Sequence, residues 1–375
     1  MKKIVSNILF LALVQALWSC GPKIIKPSEK FIDPAPVVGT KVIKGEDDKV
    51  GQQWSLDLIE AKSAWEDNGS GSKSLRIALI GSGVDYNHKD LVKNIGFNSK
   101  ELHGVAGKDD DGNGYVDDIA GWDIIENDGL AFDRLGHGTA QAGIIGAAHN
   151  NSFGIQGING NISMIPIRYI DEVNKASASY LIEALEYAWK SNVDVVNLHG
   201  VNLNLSIRDS SGATVGSVSP KLQAILDKFV KSDIPIVLNA GSTGSDFSGI
   251  HADKTKAFGV LSSYPNVLVV TSCDNTNHKP IIRNFGFKHV LTCAPGEGVF
   301  STAVNNSFGK ISGSHIASAH VAGMVALLKS VQPGIQTTEI VKALVSQESG
   351  DYYQHLSYSV RGSNRINVKK FLQSF

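Results

Sequence analysis

Short apolar runs alternate with amphipathic or small-residue segments along most of the chain from residue 52 onwards. The runs Leu75 to Ile80 and Ile234 to Ala240 have strand length, and their apolar character is typical of strands buried on both faces. Tyr180 to Lys190 repeats apolar positions at three- and four-residue steps and predicts an amphipathic helix. The alternation predicts an α/β fold in which helices cover both faces of a mainly parallel sheet. Further strands are predicted within 161–170, 194–200 and 263–275, and further helices at 221–232 and from about Thr337.

The most apolar of the predicted helices runs from about His315 to Pro333. Gly309 and Gly313 open the segment as a tight loop, and Pro333 stops it. Nearly all of its inner half is apolar or small, which suits a helix in the middle of a domain. His315 is thereby predicted at a helix N-terminus, where free N–H groups and the dipole favour negative charge and where an enzyme can place a nucleophile.

The segment GKISGSHIASAHVAG resembles the nucleophile helix of the subtilisin-like serine proteases (subtilases), whose motif is Gly-Thr-Ser-Met-Ala-x-Pro-His-Val-Ala-Gly. The resemblance extends from Gln52 to Phe375 and implies a subtilisin-like three-layer α/β/α fold. However, His315 stands where the family has its catalytic serine. The residues that match without gaps are Ser312, Gly313, Ala317, His320, Val321, Ala322 and Gly323.

The other catalytic positions of the family are also replaced, with one exception. The segment GHGTAQAGIIGA is similar to the histidine motif of the family and retains the catalytic base as His137. Gly81 stands at the position of the aspartate that orients this base, and Ser242 at that of the asparagine that supplies half of the oxyanion hole. Asp85 is expected to be a loop residue rather than a substitute, because family members carry an acid there as well.

The resemblance therefore implies a pseudoprotease that binds a peptide or protein along the old substrate cleft, where family members hold substrate backbone as an added strand. The alternative is an active serine endopeptidase or an unconventional hydrolase. His199 replaces a serine that lines the cleft in the family, where the positions of His137, His199 and His315 border one small space. A further alternative is a transition-metal site at these three histidines. The competing interpretation is that the imidazoles only fill the space or make hydrogen bonds.

Residues 109–118, DDDGNGYVDD, match the first half of an EF-hand-type calcium loop. The twelfth position is Ala120 rather than Glu, so the second half is expected to use Asp117 or Asp118. A structural calcium ion is predicted, and the alternative is a solvated acidic turn. The predicted oxygen donors come from Asp109, Asp111, Asn113, the carbonyl of Tyr115, and Asp118.

The N-terminus has the features of an export signal. Two lysines precede an apolar segment, Ile4 to Trp18, which is too short for a comfortable transmembrane span. The following Ser19-Cys20 completes a resemblance to a bacterial lipobox, which predicts a signal peptide over residues 1–19 and lipidation of Cys20. Ordinary signal-peptide cleavage nearby is the alternative, and both export the protein to the cell envelope. Residues 20–50 are predicted as a polar tether and residues 51–375 as the subtilisin-like domain.

Composition and charge narrow the possible partners. The chain has 375 residues, of which 42% are hydrophobic, and this is enough for one domain of about 300 residues plus a leader. Its 35 basic and 36 acidic side chains give a net charge of −1 and no footprint for nucleic acid. Export would permit a disulfide between Cys273 and Cys293, whereas two buried free thiols fit their apolar surroundings equally well.

Overall fold

The computed structural model describes residues 47–200, 207–208, 214–216, 219–248 and 257–375. The predicted signal peptide, Cys20 and most of the predicted tether lie outside these residues. The strands are β1 (Arg76–Gly81), β2 (Trp122–Asp123), β3 (Ser163–Arg168), β4 (Val195–Leu198), β5 (Ile207–Arg208), β6 (Thr214–Gly216), β7 (Ile236–Asn239), β8 (Val267–Cys273), β9 (Thr292–Pro295), β10 (Val299–Ala303), β11 (Ser307–Ile311), β12 (Gly350–Tyr352) and β13 (Asn364–Ile366). The α-helices are α1 (Trp54–Leu58), α2 (Ala61–Asn68), α3 (Ser99–Leu102), α4 (His137–Gly146), α5 (Ala178–Lys190), α6 (Pro220–Lys231), α7 (Ala257–Leu261), α8 (Ser314–Val331), α9 (Thr337–Leu344) and α10 (Val368–Gln373).

Nine of the described strands form one sheet, in the order β12-β13-β9-β8-β7-β4-β1-β3-β2. Every neighbouring pair in this sheet is parallel except β12 and β13, which are antiparallel. The pairs β10–β11 and β5–β6 form two small antiparallel sheets. The predicted α/β architecture with a mainly parallel central sheet is confirmed.

The two faces of the sheet pack against different helices, because successive side chains of a strand point to opposite faces. Ile77 and Leu79 of β1 join a core cluster that contains α4 and α8. Ala78 and Ile80, on the other face, join a cluster that contains α5 and α6. The sheet is therefore the middle of three layers.

Helix α8 is buried along nearly its whole length, as its uniformly apolar and small sequence predicts. It begins one residue before the predicted start at His315 and ends at Val331, two residues before Pro333. Helices α5 and α6 begin at serine caps, since the hydroxyls of Ser177 and Ser219 accept hydrogen bonds from first-turn N–H groups. Across the part of the chain described, no helix is both long and apolar enough to cross a bilayer.

Candidate functional site

The predicted cleft residues meet where parallel strands end and two buried helices begin. Gly81 is the last residue of β1, and His199 directly follows β4. His137 is the first residue of α4, and His315 is the second residue of α8. Ligand sites of open α/β sheets lie at this carboxyl edge of the strands, so the position suits a binding cleft. Ser242 lies on the loop after β7 at the same edge.

The three imidazole rings are neighbours. The ring centroids of His137 and His199 are 5.4 Å apart, those of His137 and His315 4.8 Å, and those of His199 and His315 4.6 Å. The planes of His199 and His315 are within 21° of parallel. His199 and His315 are buried, and His137 is partly buried. We call these three residues the histidine cluster.

Each ring of the histidine cluster has a buried nitrogen without a hydrogen-bond partner: Nδ1 of His137, Nδ1 of His199 and Nε2 of His315. Burial lowers the pKa of His199 to about 3, with a smaller contribution from the charge of His137. Burial also lowers the pKa of His315, helped by the other two imidazoles and Arg283. For His137, burial outweighs the opposing charge of Asp133 and lowers the pKa. The rings are therefore neutral at pH 7.

The ring of His315 packs closely against Gly313. A Cβ atom at Gly313 would lie 2.3 Å from both Cε1 and Nδ1 of His315. The backbone of His315 is also held, because Gln141 Nε2 donates a 2.9 Å hydrogen bond to its carbonyl oxygen. The start of α8 is thus fixed against α4.

The two serines that flank His315 have hydrogen bonds elsewhere. The hydroxyl oxygen of Ser314 accepts from the backbone N–H of Gly241 at 3.1 Å and lies 3.4 Å from Asn239 Nδ2. The hydroxyl oxygen of Ser312 accepts from the N–H of Gly298 at 2.8 Å. Both bonds tie the hydroxyls to loops around α8 rather than to an imidazole.

The nearby carboxylates are also engaged. Asp85 accepts a hydrogen bond from the backbone N–H of Asn305, as befits a loop residue. The buried carboxylate of Asp133 accepts from the Ser82 hydroxyl and from the backbone N–H and hydroxyl of Thr139, among others. Nδ1 of His137, the nitrogen that a triad carboxylate would contact, has no such partner.

An ion pair that the sequence did not reveal occupies the Ser242 side of the cleft. Arg283 donates to both carboxylate oxygens of Glu297, at 2.6 and 2.9 Å, and to the hydroxyl of Ser242 at 2.7 Å. Glu297 also accepts from the Ser272 hydroxyl. Arg283 thereby fixes Ser242, but the charge of Arg283 is neutralised by Glu297.

The acidic loop gathers a carboxylate cluster that differs from the predicted ligand set. Oxygens of Glu101, Asp111 and Asp118 lie within 4.8 Å of one another, the one such group of three or more acidic, histidine or cysteine side chains in the described ranges. Asp109 is not part of this group, and its oxygens accept hydrogen bonds from the backbone N–H groups of Gly112, Asn113 and Gly114. Its role as a metal ligand stays a prediction.

The carboxylate cluster is held by neutral donors. The amide of Asn98 donates to both Asp111 and Asp118, and the amide of Asn113 donates to the same two residues. Tyr187 adds a hydroxyl donor to Asp118 at 2.8 Å. Burial raises the pKa of Asp118 to about 6, with a smaller contribution from Asp111. A cation here would relieve the repulsion.

Glu101 could not be recognised from the loop motif because it lies on α3, outside residues 109–118. Its carboxylate accepts three hydrogen bonds from the backbone of the loop, at Asp110, Asp111 and Asp117. No local sequence pattern connects Glu101 with the loop.

Cys273 and Cys293 form a disulfide, which resolves the alternatives that the sequence left open. Their Cα atoms are 5.8 Å apart on the neighbouring strands β8 and β9. Both residues are fully buried.

Comparison with known proteins shows which family this chain resembles. A family model described as the Subtilase family matches residues 72–365. Subtilisin-like protease 1 of Plasmodium falciparum is 34% identical over 329 residues, covering 85% of this chain but 46% of that protein. Thermitase of Thermoactinomyces vulgaris is 29% identical, covering 86% of this chain and 96% of its own length. Subtilisin E of Bacillus subtilis is 27% identical, covering 85% and 71%. The chain thus spans about half the length of the Plasmodium relatives.

Proposed function

This chain belongs to the subtilase family, and we propose that it is a pseudoprotease of that fold, which binds a peptide or protein in its cleft without cleaving it. The observation that carries the proposal is the identity of the groups at the carboxyl edge of the sheet. An imidazole, His315, replaces the nucleophile at the start of α8, and a glycine, Gly81, replaces the carboxylate at the end of β1.

Acyl transfer by this design needs a nucleophile, a base, a carboxylate that orients the base, and donors for the oxyanion. In subtilisin, removal of the serine costs about 10⁶ in turnover, and removal of one oxyanion donor costs roughly 10²–10³. The histidine cluster retains the base alone. The hydroxyls of Ser312 and Ser314 do not substitute, since each accepts a hydrogen bond from a backbone N–H group away from His137.

Binding of an extended peptide does not need the missing groups. Strand addition uses backbone hydrogen bonds for affinity and side-chain pockets for specificity. The carboxyl edge of β1 and β4 is intact as a scaffold, and the loops around it are fixed by Arg283 and Gln141. A partner with an extended segment is therefore the class of ligand that the cleft fits best.

The proposal is tested with the full chain, calcium present, against a complex peptide mixture. Retained peptides are identified by mass spectrometry, and casein digestion is followed in parallel. We expect peptide retention by the wild type, reduced retention by Ser242→Trp in the cleft, and unchanged retention by Ser74→Trp, a matched exposed serine just before the amino end of β1. Casein cleavage would favour the alternative, an active or unconventional hydrolase. Equal retention by both variants would contradict binding in the cleft.

We also propose that the carboxylate cluster holds a structural Ca²⁺ ion. Oxygen ligands are what Ca²⁺ prefers, and buried carboxylates of like charge need a counter-charge. The side chains of Glu101, Asp111 and Asp118 would supply the ligands. Calcium should raise the melting temperature of the wild type and have little effect on Glu101→Gln. An equal shift for Glu101→Gln would place the ion elsewhere.

We further propose that the protein is exported and anchored to the membrane through a lipid on Cys20. The lysines and apolar run at the N-terminus support export, and the Cys273–Cys293 disulfide is typical of an oxidising compartment. In a bacterial expression host, the wild type should incorporate labelled fatty acid and sediment with membranes, and Cys20→Ser should do neither. Incorporation by both forms would contradict lipidation at this residue.

A further inference from the structure

We propose that the histidine cluster, His137, His199 and His315, is a binding site for a borderline divalent metal ion such as Zn²⁺. The inference concerns different residues from the carboxylate cluster, and it holds whether or not the cleft binds a peptide. It rests on the spacing of the three rings, the unpartnered state of their nitrogens and the space beside Gly81.

The spacing of the rings fits a three-histidine metal site. A tetrahedral ion bonded to one nitrogen of each ring, at about 2.0–2.1 Å, would place the ring centroids about 5 Å apart. The observed separations are 5.4, 4.8 and 4.6 Å. The separations of the three rings therefore match those that a shared metal ion requires.

The orientation of the rings must change for an ion to bind. The ring planes of His199 and His315 are within 21° of parallel. In the described arrangement of these residues, no choice of one nitrogen from each ring gives three atoms that all lie within 4.8 Å of one another. Rotation about the side-chain torsions has no competing bond to break at one nitrogen of each ring, because Nδ1 of His137, Nδ1 of His199 and Nε2 of His315 are unpartnered.

The unpartnered nitrogens also favour binding of a metal ion. A buried polar atom without a hydrogen bond is unfavourable, and each of the three adjacent rings contains one such nitrogen. Coordination would satisfy one nitrogen per ring. Metal ligands must be neutral imidazoles, and burial already keeps all three in that form at pH 7.

The absence of a side chain at Gly81 provides part of the room. A Cβ atom at Gly81 would have its nearest neighbours at 3.4 Å (His199 Cβ), 3.7 Å (Gln141 Oε1) and 3.9 Å (His199 Nδ1). The position is thus open toward an unpartnered nitrogen of the cluster. The nearby cation Arg283 does not prevent binding of a metal, because its charge is paired with Glu297.

The test is a Co²⁺ titration of the full chain, stripped of transition metals by a chelator and resupplied with calcium. Tetrahedral Co²⁺ absorbs visible light, so the spectrum reports coordination directly. We expect a single equivalent to bind and Zn²⁺ to displace it. His199→Gln and His315→Gln should each remove a metal ligand. Each should therefore weaken Co²⁺ binding by more than the roughly 10–100-fold seen when a hydrogen-bond partner of a ligand is removed.

The matched control is the exposed stacked pair His278 and His355, whose ring centroids are 4.5 Å apart. The double variant His278→Gln/His355→Gln should retain the Co²⁺ spectrum. X-ray absorption of the zinc-loaded wild type, which needs no variant to fold, should count three imidazole ligands. Failure to retain a stoichiometric metal, or loss of binding in the control variant alone, would overturn the proposal.

Discussion

The histidine cluster and the carboxylate cluster both bury titratable side chains, but they satisfy them differently. Glu101 accepts three backbone hydrogen bonds, and Asp118 accepts bonds from two asparagine amides and Tyr187. In the histidine cluster, one buried nitrogen of each ring has no partner. The carboxylate cluster is built around its charges, whereas in the part of the chain described Nδ1 of His137 has neither a carboxylate nor a hydroxyl partner.

The comparison predicts that similar substitutions have opposite effects in the two clusters. A carboxylate that organises a loop cannot be removed without leaving donors unpaired, whereas an unpartnered imidazole can be replaced by an apolar ring. All stability measurements have calcium present and transition metals removed unless stated otherwise.

Glu101→Ala should lower the free energy of unfolding by about 3 kcal/mol or more, because it leaves the N–H groups of Asp110, Asp111 and Asp117 without their acceptor. Urea denaturation measures the change. Glu66→Ala, on the exposed face of α2, should alter stability by no more than about 0.5 kcal/mol. Equal losses for the two variants would show that Glu101 does not organise the loop.

Acidification should destabilise the protein through the histidine cluster. His199 has a folded-state pKa of about 3, whereas an unfolded histidine titrates near 6.5. Between these values the unfolded chain binds a proton that the folded chain does not, so stability is lost as the pH falls. From pH 7 to pH 5, this single residue should cost about 2 kcal/mol.

This loss of stability is checked by comparing the urea denaturation of the wild type and His199→Phe at both pH values, since the variant should lose correspondingly less stability.

In the carboxylate cluster, acidification has the opposite effect on stability. With calcium removed, the raised pKa of Asp118, about 6, makes its protonation favour the folded state as the pH falls. Asp118→Asn should therefore increase the loss of unfolding free energy between pH 7 and pH 5 by about 1 kcal/mol. Parallel pH profiles for all three proteins would contradict both assignments.

At pH 7, His199→Phe should leave stability unchanged or raise it by about 1 kcal/mol, because it removes a buried nitrogen that has no partner and keeps a ring of similar shape. Thermal and urea unfolding measure the effect. A loss as large as that of Glu101→Ala would show that the His199 ring makes polar interactions in solution that this structure does not contain.

The last variant, Gly81→Asp, is measured by the pKa of His199 rather than by stability. A Cβ atom at residue 81 makes only ordinary contacts of 3.4 Å or more, the nearest being with His199 Cβ. The new carboxylate should raise the pKa of His199, because a neighbouring anion favours the imidazolium. NMR titration of the ring detects the shift. Gly309→Asp, at a glycine with open space around it, should leave the His199 pKa unchanged. No shift in either variant would exclude contact between residue 81 and the cluster.

The fold was predictable because its signals are local. The apolar run of β8 and the helical segment predicted at 221–232 each lie within a single stretch of the chain, and the structure places both within a few residues of the prediction. The sequence also indicated that His137, His199 and His315 would adjoin, but through a family resemblance rather than periodicity. The centroid separations agree with that expectation.

The features that were missed depend on contacts between distant segments. Arg283 and Glu297 flank β9 on separate loops, and no local pattern pairs them with Ser242. The carboxylate cluster includes Glu101, which lies on α3 outside the acidic loop. The spacing within residues 109–118 cannot show which residue of another segment joins the loop. The pairing of Cys273 with Cys293 likewise required the adjacency of two strands.

The most direct test of the central claim, that the family's proton-relay machinery has been dismantled on a preserved scaffold, is labelling of the calcium-loaded full chain with a serine-directed phosphonate. Intact mass spectrometry, with peptide mapping of Ser312 and Ser314, reads the result. We predict no added mass at pH 8 under conditions in which thermitase is fully labelled. A stoichiometric adduct on either serine would contradict the account.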